Sequence, residues 1–228
     1  MFRIKICGIT NSEDARAAVD AGADAIGFNF FAGSKRYINF LAAKKLVEAN
    51  SFACMKFGVF VNQTADELNE IAQAVNLDAV QLHGDQPPSY LLDIERRFPI
   101  VRVYRVGKRG FVAMKTDILM CAKFGREPDA ILLDALAPME YGGTGQRLDW
   151  STLADRIELL NFDRTEPLRL ILAGGLTPEN VAEAIRLVRP FGVDVASGVE
   201  SSPGRKDPDK VRAFVAAARR GFAEIVHD

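Results

Sequence analysis

The sequence predicts a single α/β domain, a closed (β/α)8 barrel of eight parallel strands, and three observations carry that prediction. Short runs rich in β-branched and apolar residues alternate with longer helix-patterned stretches, and the alternation persists along all 228 residues. Most of the runs are continuously apolar rather than alternating, as expected of parallel strands covered on both faces. Eight near-equal units with no linker or second domain favour a closed barrel over an open doubly wound sheet, because closure removes the exposed strand edges.

Taken in order, strands are expected at Arg3–Cys7, Ala25–Asn29, Met55–Val61, Ala79–His83, Ile100–Arg105, Ala130–Asp134, Leu168–Ala173 and Val193–Ser197. Amphipathic segments between them include Asn11–Ala21, Ala65–Asn76, Pro178–Arg189 and Pro208–Arg220. Asn11 or Ser12, Thr64, and the Thr177-Pro178 pair supply helix start signals, since a side-chain oxygen caps free N–H groups and proline suits a first turn. A weak internal echo recurs: Asp24-Ala25, Asp78-Ala79 and Asp129-Ala130 each place an aspartate directly before a strand. The longest irregular stretch, Leu136–Arg147, contains Tyr141-Gly142-Gly143-Thr144-Gly145. Residues 1–220 are expected to form the barrel domain and residues 221–228 a C-terminal tail beyond the last helix.

Composition excludes several classes. Lysine and arginine total 29 against 30 acidic residues, so the basic excess that a nucleic-acid partner demands is missing. Cys7, Cys54 and Cys121 form no CxxC pair, which argues against a disulfide framework and a structural zinc site. Two histidines, His83 and His227, cannot build a histidine-based zinc site, and no dinucleotide or Walker loop is present. No apolar run approaches the ~20 residues that span a bilayer, and charges interrupt Met1-Phe2-Arg3-Ile4-Lys5-Ile6, so membrane and secretory roles give way to a cytoplasmic one.

Barrel enzymes build their sites from the loops that follow the strands. The polar strand ends here are Cys7, Asn29, Asn62, His83, Arg105, Asp134, Gly174-Gly175 and Ser197-Gly198. Gly174, Gly175, Ser197 and Gly198 follow strands seven and eight, where barrels often bind phosphate through backbone N–H groups; glycine lets the anion approach, although each is also an ordinary turn residue. Cys7 and Asp134 could reach the mouth as base and acid: a thiolate abstracts protons, and a carboxyl in apolar surroundings holds a proton to donate. Read singly, Cys7 is more simply a small buried apolar group, and Asp134 is as readily a helix or turn cap as a catalytic acid. Arg36, in the loop after strand two, could grip a carboxylate bidentately or lie solvated on the surface. His83 could equally be a strand-end imidazole bonded to backbone.

Together these residues resemble the phosphoribosylanthranilate isomerase family. The matching segments are Lys5-Ile6-Cys7-Gly8-Ile9-Thr10, Gly27-Phe28 with Ser34-Lys35-Arg36, Gly58-Val59-Phe60-Val61-Asn62 and Gln81-Leu82-His83-Gly84. Leu132-Leu133-Asp134, Gly142-Gly143-Thr144-Gly145, Leu172-Ala173-Gly174-Gly175-Leu176, Asp194 with Ser197-Gly198-Val199-Glu200, and Pro203-Gly204 with Lys206-Asp207 continue the series in order. The resemblance implies a TIM barrel that performs the Amadori rearrangement of a small phosphorylated aminoaldose in tryptophan biosynthesis, without a cofactor, as a monomer or homodimer. It implies Asp134 as general acid, Cys7 as general base, Arg36 on the substrate carboxylate, the two glycine-bearing loops on the phosphate, and His83, Asp194 and Gly143 as further substrate contacts. Ala135, Leu148 and Ala196 depart from residues common in the family, which puts in doubt hydroxyl contacts at 135 and 196. The rivals are the sibling isomerase of histidine biosynthesis, which resembles a two-aspartate design where this chain has Cys7, and a non-catalytic phosphate-binding barrel.

Overall fold

Side chains of a strand point alternately to opposite faces, and in a closed barrel one face meets the interior while the other meets the helices. The runs of this chain obey that geometry. In the computed structural model, which describes residues 1–105, 110–134, 150, 153 and 168–225, the elements follow in order as β1 (Ile4–Cys7), α1 (Ser12–Asp20), β2 (Ala25–Asn29), α2 (Phe40–Glu48), β3 (Met55–Phe60), α3 (Ala65–Ala74), β4 (Ala79–Leu82), β5 (Ile100–Arg105), α4 (Gly110–Lys123), β6 (Ala130–Asp134), β7 (Leu170–Ala173), α5 (Val181–Val188), β8 (Gly192–Val195) and α6 (Pro208–Ile225). The eight strands close in sequence order, all parallel, and β1 seals the barrel by pairing Ile4, Lys5 and Ile6 with Val193, Asp194 and Val195 of β8. A short antiparallel hairpin, β9 (Glu200–Ser202) and β10 (Arg205–Lys206), lies between β8 and α6.

Two apolar clusters divide the strands' faces. Ile4, Ile6, Ile26, Phe28, Val80, Leu82, Ile100, Ile131, Leu133, Leu172 and Val193 belong to the larger cluster, which includes helix residues such as Leu68, Ile185 and Phe214. Ala25, Phe57, Ala79, Val101, Ala130, Leu132 and Ile171 fill the barrel interior, with Phe2 set edge-on to Phe57 at a centroid distance of 5.0 Å. The interior is therefore packed at its N-terminal end, and only the opposite end is left for polar groups.

The aspartate echo has a structural cause. Asp24 accepts hydrogen bonds from the backbone N–H of Arg3 and Ile4 at 3.0 and 2.8 Å, Asp78 from that of Lys56 at 2.7 Å, and Asp129 from that of Ile100 at 2.8 Å. Each of these carboxylates, placed just before an even-numbered strand, thus accepts from backbone N–H at the start of the preceding strand.

Helix starts follow the expected chemistry with two corrections. Asn11 caps α1, and Thr64 and Glu67 form a capping box on α3. The Thr177-Pro178 start is displaced: α5 begins at Val181, because Asn180 accepts from the Thr177 N–H at 2.8 Å and donates to the Gly175 carbonyl at 2.9 Å, holding the preceding residues in a turn. The last helix does not stop at Arg220. It continues to Ile225, with Phe222 and Ile225 packed on the outer core, so residues 221–225 continue the barrel's outer layer rather than a tail. After β4 the crossover is a 3-10 turn over Pro88–Asp93. No helix among the described residues is long and apolar enough to cross a membrane.

Candidate active site

Where the interior packing ends, polar residues of the same inward rows take over. Cys7 follows Lys5 on β1, Asn29 follows Gly27 on β2, His83 follows Gln81 off β4, and Asp134 follows Leu132 on β6, each two positions further along its strand. They surround a cavity of about 270 Å³ at the C-terminal ends of the strands. Its lining includes Cys7, Arg36, His83, Asp134, Gly174, Gly175, Asp194, Ser197 and Gly198, nine of the expected site residues. Gly143 and the whole Leu136–Arg147 stretch lie outside the described residues, as do Ala135 and Leu148. Asn62 and Arg105 are not part of this lining; both face a neighbouring recess beside Gly84, Asp85 and Gln86.

The glycine-bearing loops come together as the barrel requires. Ser197 and Gly198 begin a 3-10 turn after β8 that passes close beneath the loop after β7. A Cβ on Gly198 would lie 1.9 Å from the Leu176 carbonyl oxygen, so only glycine permits this approach. The two loops then form one wall of the cavity.

Arg36 is more constrained than a solvated arginine and less free than a waiting clamp. Its Nε and Nη2 bond both oxygens of Glu200, at 2.7 and 2.8 Å. Glu200 is buried; burial alone would raise its pKa, but the Arg36 hydrogen bond and Lys206 override it and hold the carboxyl below its ordinary value. Lys206, itself buried, donates to Glu200 at 3.1 Å and to the Ala196 carbonyl at 3.0 Å. Burial lowers the pKa of Lys206, with Glu200 opposing, whereas Arg36 is raised chiefly by its bond to Glu200. Bidentate pairing leaves the Nη1 side of the guanidinium for a ligand.

His83 is held neutral. Burial first, and then the nearby Arg105 cation, lower its pKa to about 4. Gln81 offers its amide oxygen to Lys5 at 2.9 Å, so its NH2 faces His83 Nδ1 at 3.4 Å, and the ring proton belongs on Nε2, 3.9 Å from Asp134 Oδ2. Cys7 keeps partial exposure at the cavity but is enclosed by protein. Burial pushes its thiol up, Lys5 pulls it down, Asp194 pushes it up again, and Lys206 pulls it down, with a net rise. Asp194 uses Oδ2 on Lys5, while its buried Oδ1, which stands in the cavity wall, has no hydrogen-bond partner among the described residues. Cys54 and Cys121 lie apart from the site, Cys54 packed at the edge of the outer core and Cys121 buried within it. Among the described residues no group of acids, histidines and cysteines could hold a metal ion.

The family model for N-(5'-phosphoribosyl)anthranilate isomerase matches residues 4–217. The chain belongs to the N-(5'-phosphoribosyl)anthranilate isomerase family. It is similar to the family member from Trichlorobacter lovleyi, at 43% identity over 97% of this chain and 100% of the relative. Its backbone resembles that of the Thermotoga maritima family member with a TM-score of 0.81, 40% identity and coverage of 96% and 100%. A further solved isomerase, in complex with reduced 1-(o-carboxyphenylamino)-1-deoxyribulose 5-phosphate, matches with a TM-score of 0.76, 37% identity and coverage of 96% and 100%.

Against the isomerase family's motifs, the residues that strand-end reading passes over are Lys5, Gln81 and the Glu200–Lys206 pair. Lys5 and Gln81 sit one inward position below the strand ends. Their signal in the sequence is a charge or amide inside an apolar run, as in Ile4-Lys5-Ile6 and Val80-Gln81-Leu82.

Proposed function

We propose that Cys7 and Asp134 carry out the Amadori rearrangement of N-(5'-phosphoribosyl)anthranilate to 1-(2-carboxyphenylamino)-1-deoxyribulose 5-phosphate in this chain, the isomerase step of tryptophan biosynthesis. The observation that carries the assignment is that one cavity is lined at once by a thiol, a carboxyl, an arginine and two glycine-bearing loops. Those groups correspond to the proton transfers, the carboxylate and the phosphate of that substrate. The Gly174-Gly175 and Ser197-Gly198 loops hold the phosphate, as barrels do after strands seven and eight. Arg36 meets the anthranilate carboxylate with its Nη1 side, while Glu200 keeps the guanidinium plane fixed.

Asp134 gives its proton to the furanose ring oxygen; the C1–O bond breaks and the nitrogen lone pair forms a C1=N iminium. The iminium withdraws electrons from C2, and the Cys7 thiolate removes the C2 proton, leaving an enolamine that tautomerises to the ketone. The iminium is the electron sink, and the acid and base need only reach the ring oxygen and C2. Neutral His83, with its Nε2–H toward Asp134, and Asp194 Oδ1, without a hydrogen-bond partner among the described residues, are positioned for sugar hydroxyls. The enzyme works in the cytoplasm on a small phosphorylated substrate, without nucleic acid or membrane, as a monomer or homodimer.

The test follows the loss of anthranilate fluorescence as purified protein acts on freshly generated phosphoribosylanthranilate. Rapid loss by the natural chain, absent in Cys7→Ser, supports the reaction and the base together. No loss by folded natural chain overturns the reading and directs attention to the histidine-pathway aminoaldose.

A further inference from the structure

A base that acts on a carbon acid must be ionised, yet Cys7 is enclosed by protein, which favours the neutral thiol. The cation that most favours its ionised form lies on the same strand. Lys5 and Cys7 stand two residues apart on β1, so both side chains enter the barrel. They converge over Gly27, which pairs with Cys7 in the neighbouring strand. A Cβ on Gly27 would lie 2.9 Å from the Cys7 Sγ and 3.0 Å from the Lys5 Cε, so this glycine leaves the space that both side chains occupy.

The ammonium is fully buried and anchored from two further strands, donating to Asp194 Oδ2 on β8 and Gln81 Oε1 on β4, both at 2.9 Å. Two of its three N–H donors are thereby committed, and one is left for the sulfur beside it. We propose that Lys5 is the positioning residue of Cys7: its ammonium, fixed by Asp194 and Gln81, is the counter-ion that offsets burial and favours the thiolate beneath the substrate. The proposal rests on Cys7 being the base. Lys5 exchanges no proton in the step; the thiolate takes the C2 proton and the ammonium remains charged throughout.

The other charged groups around Cys7 do not replace it. Asp194 on β8 opposes ionisation of the thiol, Lys206 on β10 favours it but is committed to Glu200, and Arg36 from the loop after β2 is committed to the same carboxylate. His83 after β4 is neutral, and Asp134 on β6 adds a negative charge when ionised. Burial opposes the charge on Lys5 itself, but Asp194 and Cys7 together raise its pKa above the ordinary lysine value, so the ammonium persists.

The experiment measures alkylation of Cys7 by iodoacetamide against pH, read on the Cys7 peptide by mass spectrometry, in the natural chain and in Lys5→Met. The expected result is a thiol titration displaced upward by at least about one unit, hence alkylation about tenfold slower at a pH below the transition. The kcat should fall by a similar factor, with KM nearly unchanged. Lys5→Gln, which keeps an N–H donor for Asp194 while losing the charge, gives the same reading if Lys5→Met fails to fold. Superimposable alkylation profiles in the natural chain and a folded variant overturn the proposal. A shifted profile with unaltered kcat supports the Lys5–Cys7 coupling and instead removes Cys7 from the role of base.

Discussion

Glu200 holds Arg36 by both carboxylate oxygens, so the guanidinium reaches the cavity with its plane already set. The long, flexible side chain would otherwise lose rotamer freedom when a ligand binds, and prior fixing reduces that cost. Glu200→Gln should therefore raise KM, by about tenfold if the clamp supplies about 1.4 kcal/mol, with a smaller change in kcat. Arg36→Ala should raise KM further. Steady-state kinetics on both variants checks the order; an unchanged KM in Arg36→Ala would remove the carboxylate role.

Cys7→Ser and Asp134→Asn should behave differently from those variants. In the proposed reaction each removes a group that acts on a reacting bond, so kcat should fall by about 100-fold or more while KM moves little. Single-turnover measurements separate chemistry from product release, and near-normal turnover in either variant would sink the role given to that residue.

His83 makes stability depend on pH. Unfolded, the imidazole titrates near its ordinary value of 6.5, whereas burial and Arg105 hold it at about 4 in the folded chain. Between those values the unfolded chain binds a proton that the folded chain refuses. The stabilisation present above pH 6.5 is therefore lost as pH falls toward 4, by up to about 3 kcal/mol. Urea midpoints at pH 7 and pH 4.5 should diverge less in His83→Asn than in the natural chain. Parallel curves for the two proteins would show that the histidine does not carry the effect.

Asp24 is a stability residue rather than a site residue. Asp24→Ala strips two backbone N–H groups, those of Arg3 and Ile4, of their acceptor. Because the carboxylate is exposed and water can replace it in part, a loss of about 1–2 kcal/mol is expected, with kinetic constants unchanged. Denaturant unfolding beside an activity assay tests both halves of that statement.

The sequence carries the barrel because each layer of it has a period. Continuous apolar runs such as Ala130-Ile131-Leu132-Leu133 are what a strand buried on both faces requires, and all eight strands lie within the expected runs or extend them by a single residue. Chain order alone puts Cys7, His83, Asp134 and the glycine loops at one end, since parallel strands all finish there. What strand ends cannot convey is depth. Lys5, Gln81 and Asp194 lie on three different strands, and nothing local to Ile4-Lys5-Ile6 says that two acceptors await the ammonium 76 and 189 residues away. The hairpin at Glu200–Lys206 was equally hard to read as structure, because two- and three-residue strands around Pro203-Gly204 have too few positions to show a pattern.

Closure of the barrel by β1 against β8 also sets an order of events when the chain folds. Lys5 and Asp194 are separated by 189 residues, so their contact is among the most costly in loop entropy that the molecule makes. Helices and neighbouring β/α/β units can form before the last strand docks, but the ammonium beneath the cavity gains its carboxylate only at docking. During refolding, catalytic activity should therefore return with barrel closure and lag behind the recovery of helical signal, which makes turnover a kinetic clock for the final step of assembly.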